Sequence, residues 1–253
     1  MYVYLYDQFL KEKRFSEALK SVETRLTDYG IAGRILRLQH FTSAESIITD
    51  SVQKGAKTIV VVGNDETFAK VLSRGAAYPV LYGFIPIGPK NSIANVLGIP
   101  STEEAADILA RRRKVYLDVG WFNNRYFISQ LHIPPHPIVV EYDERFKVSS
   151  TSQKMELVVC NLQPYFWQNQ GKHMVVHPQD GKLEAFLRPI KKTSWFKREE
   201  YEDPSIFPFE EMVVSSTTPF AVEADGKTSK EIKITIKLAK NRIEMIVGKE
   251  RKF

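Results

Sequence analysis

The chain has 253 residues, 43% of them hydrophobic, which is enough for one large globular domain or two smaller ones with a sizeable core. It carries 36 Lys and Arg against 30 Asp and Glu, a formal net charge of +6, which suits anionic ligands or surfaces and falls short of the basic density of a dedicated nucleic-acid binder. Cys160 is the only cysteine, which excludes an intrachain disulfide; the opening MYVYLYDQFLKEK has no basic leader or cleavage site, and no apolar run approaches the ~20 residues of a membrane span, so a soluble cytoplasmic protein is expected.

Residues 2–6 (YVYLY) read as a strand, and Phe15, Ala18, Leu19, Val22 and Leu26 follow at helical spacing until Gly30 can end the helix. GRILRL (33–38) is a second strand. Thr42 and Glu45 fit a capping box before a helix with Ala44, Ile47, Ile48 and Val52 on one face. KTIVVVG supplies a third strand, and residues 82–85 a fourth. A capped helix starts at about 102, with acids in its first turn and Arg111, Arg112 and Arg113 in its last. Such regular alternation predicts a parallel sheet covered by helices.

After Lys114 the pattern becomes β-rich. VYLDVGWFNNRYFISQL gives two short runs around Asn123-Asn124, a hairpin signal, and further strands are expected near 138–148 and 155–161. EMVVSS, PFAVEA, EIKITIKL and RIEMIVG read as closing strands, two of them separated by the turn Asp225-Gly226. The predicted division is an α/β domain over 1–116 and a β domain over 117–253, with a loop-rich region at 163–210. No internal repeat and no low-complexity segment interrupts either half.

Two turns carry the chemistry. VVVGNDETFAKVL (60–72) passes from an apolar strand through Gly63, Asn64, Asp65, Glu66 and Thr67 into a helix, a geometry that presents backbone N–H groups to an anion. FIPIGPKNSIANVLGIP (84–100) repeats the arrangement through Gly88 and Asn91. Together they resemble the diacylglycerol kinase catalytic domain and related bacterial lipid kinases, which have a Gly-Gly-Asp-Gly-Thr turn followed by Pro-Leu-Gly-Thr-Gly-Asn-Asp. The matches here are Gly63, Asp65, Thr67, Pro86, Gly88, Asn91 and Ala94. Downstream, Asp180, Gly181 and Leu183 resemble that family's Asp-Asp-Gly-x-Leu-Asp segment, and Asp225-Gly226 its Asp-Gly-Glu turn.

The resemblance implies a Rossmann-like nucleotide-binding domain followed by a C-terminal β-sandwich, with ATP-Mg²⁺ and a hydroxylated acceptor meeting between them. It places Gly63, Asn64, Asp65, Glu66, Thr67, Gly88, Lys90 and Asn91 at the nucleotide, Asp65 and Asp225 in catalysis, and Asp180 at a structural Mg²⁺. NAD kinases share the first turn and are the alternative family, although Pro86-Ile87-Gly88 with Asn91 is closer to the lipid kinases.

The departures from the family pattern matter as much. LYDQFLKEK has no glycine or proline for a phosphate loop, Asn64 and Glu66 replace two glycines, and Pro89 and Lys90 replace a threonine and a glycine. Lys227 stands where the family has the glutamate that acts as general base, and a protonated lysine cannot accept the acceptor's proton. Glu66 and Lys90 carry opposite charges on adjacent turns, so an ion pair that fills the phosphate position is expected. Two functions follow: ATP-dependent phosphotransfer to a lipid or small hydroxylated acceptor, or a catalytically impaired relative that binds a ligand, a membrane or a partner.

IKKTSWFKREEY (190–201) interleaves Lys191, Lys192, Lys197 and Arg198 with Trp195 and Phe196, a pattern suited to an anionic membrane surface and peripheral attachment. Single-stranded nucleic acid could use the same aromatics, but no other feature supports it and none is expected as a partner. A homodimer is compatible with the sequence. His40, His132, His136, His173 and His177 share no zinc-like spacing with Cys160, and there is neither a Walker loop nor a nucleophile elbow.

Overall fold

In a computed structural model that describes residues 1–39, 43–143, 146–149, 154–163, 165–166, 173–174, 176–191 and 200–253, the apolar runs of the first half become the strands β1 (Tyr2–Tyr6), β2 (Arg34–Arg37), β3 (Thr58–Gly63) and β4 (Leu81–Pro86). They pair in parallel, β2 with β1, β1 with β3 and β3 with β4. Every residue of β3 and β4 is buried, as expected of parallel strands covered on both faces. Between them run α1 (Ser16–Asp28), α2 (Ala44–Gln53) and α3 (Asp65–Gly75), and α4 (Ser92–Val96) and α5 (Thr102–Arg111) follow β4. Local chemistry sets their ends. Ser101 accepts from Glu104 N to cap α5, and Arg112 leaves it in a left-handed conformation. Thr42 of the expected capping box lies outside the described residues, and Ser43 at the α2 N-cap makes no side-chain cap bond.

β5 (Lys114–Leu117) ends this half, and β6 (Gly120–Phe122) and β7 (Arg125–Phe127) form the expected hairpin. Its turn residues Asn123 and Asn124 have φ of 41° and 65°, the left-handed pair that a two-residue type I′ turn requires. There follow β8 (Gln130–His136), β9 (Val139–Tyr142), β10 (Phe146–Ser149), β11 (Met155–Cys160), β12 (Tyr165–Phe166), β13 (His173–Met174), β14 (Leu183–Lys191), β15 (Glu200–Tyr201), β16 (Ser205–Phe209), β17 (Glu211–Ala224) and β18 (Lys227–Leu238). Apart from the small β12–β13 ladder, these strands form an antiparallel sheet along the path β15-β14-β11-β8-β17-β18-β6-β7, with β16 on β14 and the β9–β10 hairpin on β17. The long strands β14 and β16 lie within the region expected to be loop-rich. The alternation in LEAFLRPIK, which buries Leu183, Ala185 and Leu187 in the main core, explains the difference.

β17 shifts register between Ser215 and Phe220, so that its first part pairs with β9 and its last residues with β8. One apolar cluster contains Leu183 and Leu187 of β14 together with Phe122 of β6 and Phe127 of β7. Strands from opposite ends of the path therefore cover the same core, as in a sandwich.

The last strand, β19 (Ile243–Ile246), returns to the first sheet, parallel to β4 and antiparallel to β5, which gives the order β2-β1-β3-β4-β19-β5. The chain accordingly divides into Met1–Leu117 with Asn241–Phe253, and Asp118–Lys240. The sequence reading places all of 117–253 in the second domain; the strand RIEMIVG belongs to the first instead, because a short apolar run does not disclose which sheet it will pair with. No helix among the described residues is long and apolar enough to cross a membrane.

Candidate functional site

The first turn is built by β3 running buried into Gly63 and by Asn64 capping α3. Asn64 Oδ1 accepts from Thr67 N at 3.1 Å. A Cβ on Gly63 would come within 2.8 Å of Thr67 Oγ1, so only glycine lets the capped turn pack. The remaining donors are also engaged: Asp65 N reaches Lys90 O at 3.0 Å and Phe68 N reaches Asn64 O at 2.9 Å. Glu66 N–H is then the one first-turn donor of α3 without a described acceptor, and its own side chain is an exposed carboxylate.

Asp65 ties the two turns together. Its Oδ2 accepts from Ser92 N and Ser92 Oγ, each at 2.7 Å, and its Oδ1 from Ile93 N at 3.1 Å. The carboxylate thereby caps α4 from another element and occupies the backbone donors that a phosphate would need. Burial raises its pKa, and the three hydrogen bonds pull it back down. Asn91 Nδ2 donates to Gly88 O at 2.8 Å, while Asn91 Oδ1 is buried with no described partner; it is an acceptor, which phosphate oxygens cannot satisfy.

The segment after β1, where the resemblance expects a phosphate loop, is two short 3₁₀ turns, Gln8–Lys11 and Lys13–Phe15, the first capped by Asp7 through Phe9 N. Asp7 Oδ2 accepts from the Thr67 hydroxyl at 2.6 Å, which puts a second carboxylate against the first turn. Gly88 has φ +103°, and a Cβ there would lie 2.9 Å from Cε2 and Cζ of Phe9, so the Phe9 ring packs on the glycine of the second turn. Lys90 keeps a left-handed φ of 64°, the conformation that suits the glycine it replaces. The expected Glu66–Lys90 pair does not form: both side chains are exposed, and no ion pair among the described residues joins them. Each surface charge is already well solvated, and holding two long side chains together would lose rotamer freedom for little gain.

The second unit holds Asp225, Lys227 and Asp180. Asp225 is in a left-handed conformation, φ 45°, ahead of Gly226. Its carboxylate accepts from Ile128 N at 2.7 Å, from Ser129 N at 3.1 Å and from the Ser129 hydroxyl, so it caps the β7–β8 corner. Burial, outweighing these bonds, pushes its pKa up to about 6. Lys227 is exposed at the start of β18. Asp180 is exposed, and its Oδ1 accepts from Lys182 N of its own turn at 3.0 Å.

The sequence reading missed four residues around these two turns. Asp118, 2% exposed, accepts from Gly181 N at 2.8 Å; Asn161 Nδ2 donates to Asp118 O and Ile128 O; Ser129 holds Asp225; and Glu184 has a buried Oε2 with no described partner. Burial and the neighbouring Asp180 and Asp118 push the Glu184 pKa up to about 7. The signal for them was faint: single polar residues at the ends of apolar runs. Among the described residues no three His, Cys, Asp or Glu groups converge to hold a metal, so Mg²⁺ at Asp180 would need backbone carbonyls to complete its shell. Lys192, Trp195, Phe196, Lys197 and Arg198 lie outside the described residues, as does the Lys191 side chain.

The diacylglycerol kinase catalytic domain model matches residues 3–122. A diacylglycerol kinase of Staphylococcus carnosus is 25% identical over 128 residues, 49% of this chain and 42% of that relative, so the match spans less than half of the relative's length. Two structures of Bacillus anthracis proteins, one titled a diacylglycerol kinase and one a putative diacylglycerol kinase, superpose with TM-scores of 0.79 and 0.78 at 17% identity, covering 99% of this chain and 98% of each. Residues 3–122, with their two linked turns, are therefore similar to the diacylglycerol kinase catalytic domain, on a fold that the whole chain shares with both structures.

Proposed function

We propose that this chain is a phosphotransfer-silent member of the diacylglycerol kinase family, a binding module on a lipid-kinase fold. The observation that carries the reading is the self-occupied cradle: the donors Asp65 N, Thr67 N, Ser92 N and Ile93 N go to Lys90, Asn64 and Asp65, which leaves only Glu66 N–H among the first-turn donors of α3 without a described acceptor, and Asp7, Asp65 and Glu66 bring carboxylates where triphosphate charge would lie. Repulsion between like charges in a partly buried turn opposes nucleotide binding. Magnesium would bring positive charge to an occupied triphosphate, but three of the roughly four acceptor sites of Asp65 are taken within the protein, which leaves only Oδ1 with capacity for a Mg²⁺-ATP ligand. Lys227 at the expected base position supports the same reading.

Calorimetry with millimolar Mg²⁺-ATP tests it directly, paired with a radiolabelled phosphotransfer assay on vesicles that contain diacylglycerol. No binding heat and no labelled lipid are expected, and Lys227→Glu should gain nothing. The second reading, an active lipid kinase with Asp65 near Mg²⁺-ATP and Asp225 near the acceptor, is favoured by the match over residues 3–122. Saturable ATP binding that Asp65→Asn abolishes would return the chain to that reading.

A further inference from the structure

At the open edge of the first sheet, β2 and α2 leave a groove of about 300 Å³ whose lining includes Arg34, Arg37 and Lys54, the acid Asp50, and the apolar Leu36 and Ile47. Arg34, Arg37 and Lys54 are exposed, and none of them takes part in an ion pair among the described residues. The Arg37 guanidinium lies 5.5 Å from the centroid of the Tyr6 ring, whose hydroxyl bonds Glu23 of α1, so its charge sits on the other face of β2 and leaves Arg34 and Lys54 as the cations on the α2 side. Arg34 and Lys54 outnumber the single acid Asp50 in this concavity, which leaves it a net positive charge that attracts an anion. The edge adds donors, because Leu38 N bonds inward to Tyr6 O and alternate residues therefore turn their backbone N–H groups away from β1.

We propose that this groove binds a small phosphate-bearing ligand, either a soluble phosphorylated molecule or the phosphate headgroup of a lipid. Arg34 offers a planar fork that matches phosphate oxygens, Lys54 adds a point charge, and Leu36 with Ile47 supplies an apolar floor for the rest of the ligand. Asp50 limits the negative charge that the groove accepts and is suited to a ligand hydroxyl. The groove shares no residue with the two turns, so the proposal stands or falls apart from the reading of the cradle.

The test uses two probes on the full chain: inorganic pyrophosphate by calorimetry, and sedimentation with phosphatidylcholine vesicles with and without phosphatidic acid. Arg34→Gln with Lys54→Gln should weaken binding by about tenfold or more at unchanged melting temperature, whereas Lys230→Gln with Lys240→Gln on the other unit should leave it alone. Asp50→Asn should tighten it. Loss confined to pyrophosphate assigns a soluble ligand, and loss confined to vesicles that contain phosphatidic acid assigns a headgroup. Failure of both probes to bind the unsubstituted chain overturns the proposal, as does equal weakening by the two double variants or no weakening by the first.

Discussion

Asp65 illustrates how one side chain can look catalytic in sequence and act as structural glue in the fold. Its carboxylate satisfies two backbone N–H groups and a hydroxyl that would otherwise lack partners in a half-buried turn. Asp65→Ala should therefore lower the unfolding free energy by about 2–3 kcal/mol in urea melts, the scale of stranding buried donors. A change within experimental error would show that water replaces the carboxylate. Glu184 gives a prediction about pH. Its pKa is about 7 in the fold against 4.5 as the ordinary value, so the folded state holds the proton more tightly. The associated stability is fully present below pH 4.5 and is lost as pH rises through about 7. Glu184→Gln should flatten that decline and raise the melting temperature at pH 8; an unaltered pH profile would mean that Glu184 does not titrate in this window.

At the scale of elements, the strand–turn–helix units take the path that the resemblance implies, while the contents of their turns depart from it. Gly63 and Gly88 persist where a Cβ would collide with Thr67 or Phe9, and Gly88 also has a left-handed φ. Lys90 holds the same kind of backbone without being glycine, so the path of the second turn is set by its attachments, Asp65 N to Lys90 O and Asn91 Nδ2 to Gly88 O, more than by glycine's freedom. The segment after β1 shows the reverse. Without glycine or proline it folds into 3₁₀ turns capped by Asp7, and Phe9 covers the glycine that an open loop would leave bare. The turn geometry was legible in the local sequence; the filling of the turns was not, because Asp7 and Thr67 are 60 residues apart.

For the whole molecule, the telling feature is that the chain ends in the sheet where it began. β19 lies between β4 and β5, with Ile243, Met245, Ile246 and Val247 buried. Truncation after Lys240 would strip β4 and β5 of their shared partner and leave unpaired backbone groups in a buried sheet. The truncated chain should lose cooperative melting of its helical circular-dichroism signal. An unchanged transition would mean that the first unit closes without its C-terminal strand.

The sequence by itself determined what depends on neighbours along the chain: apolar runs of strand length, helix caps such as Ser101, the Asn123-Asn124 hairpin, and the two glycine turns at strand ends that carry the family resemblance. These follow from sterics and hydrogen bonds within a few residues. Only the tertiary structure decided which sheet β19 enters, that Asp65 caps α4, that Asp7 holds Thr67, and that Glu66 and Lys90 stay apart. Those outcomes depend on strand order and on the position of one turn relative to another, so they are set by the packing of segments far apart in sequence, such as the 60 residues between Asp7 and Thr67, which local propensity does not encode.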